Sequence, residues 1–259
     1  MMKNWMSDRA RGTMVIVHGA AEHHGRYEWI IKQMVKQRFH VVAGDLPGHG
    51  RTRGKRGHID SFDQYIDMVY AWYKEAASYE LPVYLFGHSM GGLITVRSLM
   101  EKHMPVRGVV LSSPCFGLYE YPGRTAEFTT KIMHRLSPGF SGKTGIKAEK
   151  ITRSPEARLA YQEDELNLST VTARWYQEML KAMKISLHEA DRFPNVPLLV
   201  LQAGRDLIVD QYAAHRWFNR LETSDRSMKE WKGLYHELFN EPEREMVFRF
   251  MMNFINQRI

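Results

Sequence analysis

The segment Gly87-His88-Ser89-Met90-Gly91 sets a serine in a G-x-S-x-G pattern. An apolar run, Val83-Tyr84-Leu85-Phe86, precedes it, and a helix-like stretch from Leu93 to Met100 follows. A strand that turns at once into a helix holds its central residue in a strained backbone conformation. The flanking glycines are needed because such a turn leaves no room for a Cβ on either side. Ser89 Oγ then stands above the strand ends at a helix N-terminus, where the helix dipole favours developing negative charge. A serine hydroxyl is a weak nucleophile near neutral pH. It needs a base to take its proton and a third group to orient that base. The chemistry implied is nucleophilic acyl transfer.

An elbow of this kind is followed in chain order by an acid and then a histidine. Asp206 and Asp210 both follow the apolar run Leu198 to Leu201. Asp210 opens a helical stretch, Gln211 to Arg220, and is read as its N-cap. Asp206, in Ala-Gly-Arg-Asp on the loop leaving the strand, is assigned as the acid. Of the twelve histidines only His215 and His236 lie after it. His215 falls inside a helix, whereas His236 sits in a loop, Gly233-Leu-Tyr-His-Glu237, which can place an imidazole over Ser89. An oxyanion needs two converging N–H donors. Met90, after the nucleophile, supplies one. The loop His18-Gly19-Ala20-Ala21-Glu22-His23 supplies the other, with Ala20 the choice and Ala21 its competitor. His18 is read as a structural hydrogen-bonder and Cys115 as a small buried hydrophobe.

These residues must be held by a framework, and the hydropathy pattern supplies one. Short apolar strands are expected at Thr13–Val17, His40–Ala43, Val83–Phe86, Gly108–Ser112 and Pro197–Gln202, with a last one at Ser227–Trp231. Helical periodicity fills Tyr27–Gln37, Phe62–Tyr79 and Pro242–Gln257, with proline at a natural first-turn position. Alternation of this sort implies an α/β fold, a mostly parallel sheet flanked by helices on both faces. From 115 to 191 the rhythm breaks into turn-rich and helical segments, too long for an ordinary connection. The chain therefore divides into a core, 1–114 and 192–259, and a helical lid, 115–191, inserted between two strands. The lid carries two apolar stripes. One includes Phe128, Ile132, Met133 and Leu136, the other Trp175, Met179 and Met183, and these are candidates for a substrate pocket.

The chain has 259 residues, 44% hydrophobic and 25% charged, a globular composition. Its one cysteine excludes an internal disulfide. Residues 1–11 lack the apolar core of a signal peptide, and no run is long enough to cross a bilayer. A cytoplasmic location is expected. The net charge is +7. Basic residues concentrate at Arg51, Arg53, Lys55, Arg56 and His58, without interleaved aromatics, which argues against nucleic acid. A solvated loop is the default for this cluster, and attraction to an anionic membrane surface is the second reading.

Several motifs together resemble one family. His18-Gly-Ala-Ala-Glu-His-His-Gly-Arg-Tyr27, Asp45-Leu-Pro-Gly-His-Gly50, Gly87-His-Ser-Met-Gly-Gly92, Ser112-Ser-Pro114, Gln202-Ala-Gly-Arg-Asp206 and Tyr235-His-Glu237 carry the likeness. So do Arg153-Ser-Pro-Glu156 and Trp175-Tyr-Gln-Glu-Met-Leu180 within the lid. Over nearly its whole length the chain resembles the α/β-hydrolases that include monoacylglycerol lipases and bacterial lysophospholipases. The resemblance implies hydrolysis of single-acyl-chain lipid esters through an acyl-enzyme, a cap shaping an apolar tunnel, and no metal or organic cofactor. Prolyl aminopeptidases and thioesterases share the fold and remain the alternative. Two departures stand out. Ala21 replaces a glycine common in the family, and the short lead before the first buried strand leaves room for one leading strand, near Lys3 to Met6, instead of two.

Overall fold

The computed structural model describes residues 2–259. In chain order the elements are β1 (Lys3–Trp5), β2 (Gly12–Val17), α1 (Glu28–Lys36), β3 (Phe39–Ala43), α2 (Asp63–Ala77), β4 (Val83–His88), α3 (Met90–Glu101) and β5 (Gly108–Ser112). Between β5 and the next strand of the main sheet come α4 (Arg124–Leu136), β6 (Ser141–Lys143), α5 (Ala148–Ile151), α6 (Pro155–Glu163), β7 (Thr170–Thr172) and α7 (Ala173–His188). The chain ends with β8 (Leu198–Ala203), α8 (Gln211–Asn219), β9 (Arg226–Trp231) and α9 (Arg244–Asn256). One strand, β1, precedes β2, within the stretch Lys3 to Met6 where it was expected.

Seven strands form one sheet in the order β1-β3-β2-β4-β5-β8-β9. Only β1 runs antiparallel. The central strands β2, β4, β5 and β8 are buried on both faces, so their side chains alternate between two cores. Val15, Val17 and Leu85 pack with α2, α3 and α8 on one face. Met14, Ile16, Tyr84 and Phe86 pack with α1 and α9 on the other. The carboxyl ends of these strands open onto one rim, where ligands bind in sheets of this kind.

The insert between β5 and β8 differs from expectation in two ways. It holds a small antiparallel pair, β6 with β7, where turns and helices were expected. These strands are three residues each and β6 is fully exposed, so neither gives an apolar run to read. The insert also lacks a core separate from the sheet. Trp175, Met179, Ala182 and Met183 of α7 belong to the same apolar cluster as α2 and α3, and Trp175 Nε1 donates to Tyr65 Oη at 2.8 Å. At the C-terminus α9 begins at Arg244, two residues past Pro242, because the Glu241 and Glu243 carbonyls accept the opening N–H bonds.

The basic cluster lies on an exposed loop, as its default reading had it, and part of it also fastens that loop to the insert. Lys55 Nζ donates to Gly139 O at 2.7 Å, and Arg56 Nη2 to Leu166 O at 2.7 Å. His58 Nδ1 lies 2.8 Å from Thr172 Oγ1. The backbone joins in, with Thr172 N donating to Gly57 O at 2.8 Å. Arg51, Arg53, Lys55 and Arg56 are all exposed, and Arg51 and Arg53 take no part in this fastening. Gly57 holds the contact at φ +67°, and a Cβ there would come within 2.5 Å of Thr170 O. Gly57→Ala is therefore expected to destabilise the fold by about 1–3 kcal/mol. Urea unfolding measures this, and an unchanged midpoint would contradict the contact.

Candidate active site

Ser89 stands between β4 and α3 with φ 53° and ψ −119°, a conformation that non-glycine residues rarely adopt. Its backbone is pinned on both sides: Ser89 N donates to Ser112 O at 2.9 Å, and Cys115 N donates to Ser89 O at 3.0 Å. A Cβ at Gly91 would collide with the Val17 and His18 carbonyls, and one at Gly92 with Pro114. The two glycines thus let α3 approach the ends of β2 and β5 closely enough to force the turn. Met90 is the first residue of α3, where the backbone N–H has no partner within the helix.

His236 and Asp206 meet as expected. His236 Nδ1 donates to Asp206 Oδ2 at 2.8 Å, with both side chains buried. The other carboxylate oxygen, Asp206 Oδ1, accepts from Ile208 N and Val209 N, each at 2.9 Å. The acid is therefore oriented by its own loop before it orients the imidazole. Ser113 Oγ donates to His236 O at 3.0 Å and fixes the histidine loop. Burial by itself would lower the His236 imidazole, but the Asp206 carboxylate, with Glu237 and Glu22 nearby, outweighs it and raises the group above its ordinary value. His88, whose ring lies 4.7 Å from that of His236, is pushed down to about 4 by burial and by His236 itself, and stays neutral.

The rejected candidates have structural employment. Asp210 caps α8, accepting from Tyr212 N at 2.9 Å, and pairs with Arg216. His215 lies on α8, 3.6 Å from Glu230. His18 Nε2 accepts from Leu46 N at 2.9 Å, and burial lowers it to about 4. Burial likewise raises the Cys115 thiol to about 12, with Asp206 adding to the effect.

Ser89, His236, Gly19, Ala20, Ala21 and Cys115 line a single cavity of about 520 Å³. Among the lid candidates, Trp175, Met179 and Met183 of α7 line it too. Phe128, Ile132, Met133 and Leu136 of α4 do not, which corrects that half of the pocket. Ala126 and Thr130 take the cavity side of α4. Phe128, Ile132 and Leu136 lie two residues on from that row, on the far face of the helix. Phe128 is 65% and Leu136 79% exposed. Periodicity located an apolar stripe correctly and could not say which way it points.

The sequence reading also passed over Glu22, Arg26, Tyr161 and Glu237, which form the polar end of the cavity. For Glu22, Arg26 and Glu237 the signal was charge inside otherwise compact motifs; Tyr161 lies in none of them. Among the described residues, His23, His24 and Asp45 bring metal-ligand atoms within 4.8 Å of one another. Those atoms are knitted by hydrogen bonds: His24 Nδ1 to Asp45 Oδ1 at 2.5 Å, and His23 Nε2 to Asp164 Oδ2 at 2.6 Å.

A parallel sheet with a serine elbow at its rim and helices on both faces defines an α/β-hydrolase. The family model described as serine aminopeptidase, S33, matches residues 8–243. The chain is 42% identical to phospholipase YtpA of Bacillus subtilis, covering all of both chains. It is 29% identical to a monoacylglycerol lipase of Mycolicibacterium smegmatis, over 94% of this chain and 88% of that one. The crystal structure of the Paleococcus ferrophilus monoacylglycerol lipase superposes with a TM-score of 0.92 at 30% identity, covering 100% and 99% of the two chains. The chain belongs to this family of α/β-hydrolases, and the relatives named phospholipase and monoacylglycerol lipase are similar to it over nearly its whole length.

Ala21 occupies the left-handed region at φ 60°. Its carbonyl accepts from Leu168 N at 2.9 Å, so the strain is held by the insert. Ala21→Gly removes a left-handed penalty of about 1–2 kcal/mol and adds about 0.4–1 kcal/mol of unfolded-state entropy cost. A small net gain in stability is expected, read as a raised urea midpoint. A lowered midpoint would show that the Ala21 Cβ packs too well to lose.

Proposed function

We propose that the chain hydrolyses carboxylic esters of single-acyl-chain lipids, lysophospholipids or monoacylglycerols, through an acyl-enzyme on Ser89. The observation that carries this is the buried His236–Asp206 bond on the wall of the cavity that also holds Ser89. Ser89 Oγ attacks the ester carbonyl, and His236 Nε2 takes its proton and passes it to the leaving alcohol. Asp206 keeps the Nδ1–H tautomer and stabilises the imidazolium. The Ala20 and Met90 N–H groups receive the oxyanion. Water activated by His236 then releases the fatty acid. Residues 115–191 serve as the lid over a core of 1–114 and 192–259, and Trp175, Met179 and Met183 give the acyl chain an apolar wall.

The names of the relatives support the ester reading, and so does charge in the cavity. A peptidase needs a carboxylate free to hold a substrate amine. Glu22 and Glu237 are both engaged by Arg26, and Glu120 pairs with Lys150 at 2.9 Å. Glu163 and Glu165 are exposed, and Asp164 is bound to His23.

The outward face of α4 supports peripheral contact with an anionic membrane. Phe128, Ile132 and Leu136 are exposed there, with Lys131 and Arg135 on the same helix. Among the described residues no helix is long and apolar enough to cross a membrane.

Ser89→Ala is expected to abolish p-nitrophenyl ester turnover, and retained activity would refute the assignment. Since His236 must be neutral to accept the proton, activity rises with pH through its raised pKa. The acid limb of kcat/KM should therefore lie above the ordinary histidine value of 6.5. Phe128→Ser with Leu136→Ser should weaken sedimentation with phosphatidylglycerol vesicles while sparing turnover of a soluble ester. Undiminished sedimentation would remove α4 from the membrane contact.

A further inference from the structure

The polar end of the cavity is built around one guanidinium. Arg26 Nη1 and Nη2 donate to Glu237 Oε1 and Oε2 at 2.6 and 2.8 Å, a two-pronged grip. Nη1 also donates to Glu22 Oε2 at 2.8 Å. The side chains of Arg26, Glu22 and Glu237 are 9%, 5% and 7% exposed. Each carboxylate is tied onward. Glu22 Oε1 accepts from Gly19 N at 2.5 Å and from Tyr27 Oη at 2.7 Å. Glu237 Oε2 accepts from Asn240 Nδ2 at 2.9 Å, and Glu237 N donates to Ile151 O at 2.8 Å. The ring of Tyr161 covers the guanidinium, 4.7 Å from centroid to carbon.

The two grips land on the two loops whose relative position decides catalysis. Glu22 holds Gly19, the residue before the oxyanion donor Ala20. Glu237 follows the base, His236. Among the described residues no strand pairing joins these two loops, since β2 and β9, the strands they follow, are separated by β4, β5 and β8. We propose that Arg26 is a positioning residue: bridging Glu22 and Glu237, it sets the oxyanion loop and the His236 loop in one fixed relation. This rests on the roles given above to Ser89, Ala20 and His236.

The bridge also has an electrical consequence. Two carboxylates and one guanidinium leave a net negative charge beside the imidazole, which favours the imidazolium formed during acyl transfer. The charged and titratable groups facing His236 are Asp206 from the loop after β8, His88 from β4, Glu22 and Arg26 from the loop after β2, and Glu237 from its own loop. Only Asp206 touches the ring through a hydrogen bond; the bridge acts through space and through the backbone.

A guanidinium and an ammonium carry the same charge, but only the first offers a planar fork. Arg26→Lys keeps the charge and loses the two-pronged geometry. Glu237→Gln keeps the shape and loses one negative charge. With a short p-nitrophenyl ester, Arg26→Lys is expected to lower kcat by about 10²-fold, the size of effect a misplacement of about 1 Å produces, with KM and the acid limb of the pH profile unchanged. Glu237→Gln is expected to move that acid limb to lower pH, because a neighbour that favours the protonated imidazole has gone. A merely structural salt bridge would lower the unfolding midpoint and leave both the kcat/KM split and the pH limb where they are. That result in both variants overturns the proposal. If Arg26→Lys does not fold, Glu237→Gln decides alone, and an unmoved acid limb overturns it. Ser89→Ala run beside them separates the two claims. An active Ser89→Ala overturns the functional reading and the bridge with it; an inactive one, with both variants matching the parent enzyme, overturns the bridge only.

Discussion

The backbone of Ser89 can hold its strained angles only because α3 lies almost against the ends of β2 and β5. That approach is the constraint on which the rest of the site depends. It requires glycine at 91 and 92, where any side chain would strike carbonyls or Pro114. It requires the Ser112 and Cys115 backbone bonds that clamp the turn from both sides. Strain of this kind typically costs about 1–3 kcal/mol and persists only where the surroundings over-determine it. Here the surroundings are the best-buried part of the molecule: β4, β5 and nearly all of α3. The Ser89 hydroxyl is presented by the core itself.

Around that point the structure separates two kinds of histidine by burial and partner. His18, His49 and His88 are enclosed without a carboxylate bound to the ring, and burial lowers them to about 4, 3 and 4. They remain neutral and serve as hydrogen-bonding and packing groups. His236 is equally enclosed, yet Asp206 sits on its Nδ1 and tips the balance upward. A hydrogen bond to a carboxylate, itself held by two backbone N–H groups, thus sets His236 apart from these three.

Much of this was legible in the chain. Strand and helix periodicity placed the buried strands within a residue or two, and the order serine, acid, histidine pointed to Ser89 and to His236 and Asp206, which share a hydrogen bond in the structure. What escaped was whatever depends on direction in space. The stripe on α4 was visible, but a helix that packs on a neighbour with small side chains can turn its large ones outward, as Phe128 and Leu136 do. The cluster from Arg51 to His58 is surface charge as read, but the hydrogen bonds of Lys55 and Arg56 to carbonyls of the insert span 84 and 110 residues. Glu22 and Arg26 were quoted within a motif, and their partner Glu237 lies 211 residues from Arg26. No local pattern links them. The strands β6 and β7 were missed because three residues carry no period.

The continuity of α7 with the main core bears on how such a protein can diversify. A segment whose tryptophan and methionines complete the packing of α2 and α3 is not a detachable module. Transplanting the whole of 115–191 from a relative would import a foreign contact surface into the centre of the molecule. The exposed side of α4 bears no such load, since none of its residues is buried. Sequence drift can accumulate there at little thermodynamic expense, making that helix the natural place for relatives to diverge while the floor beneath it stays put.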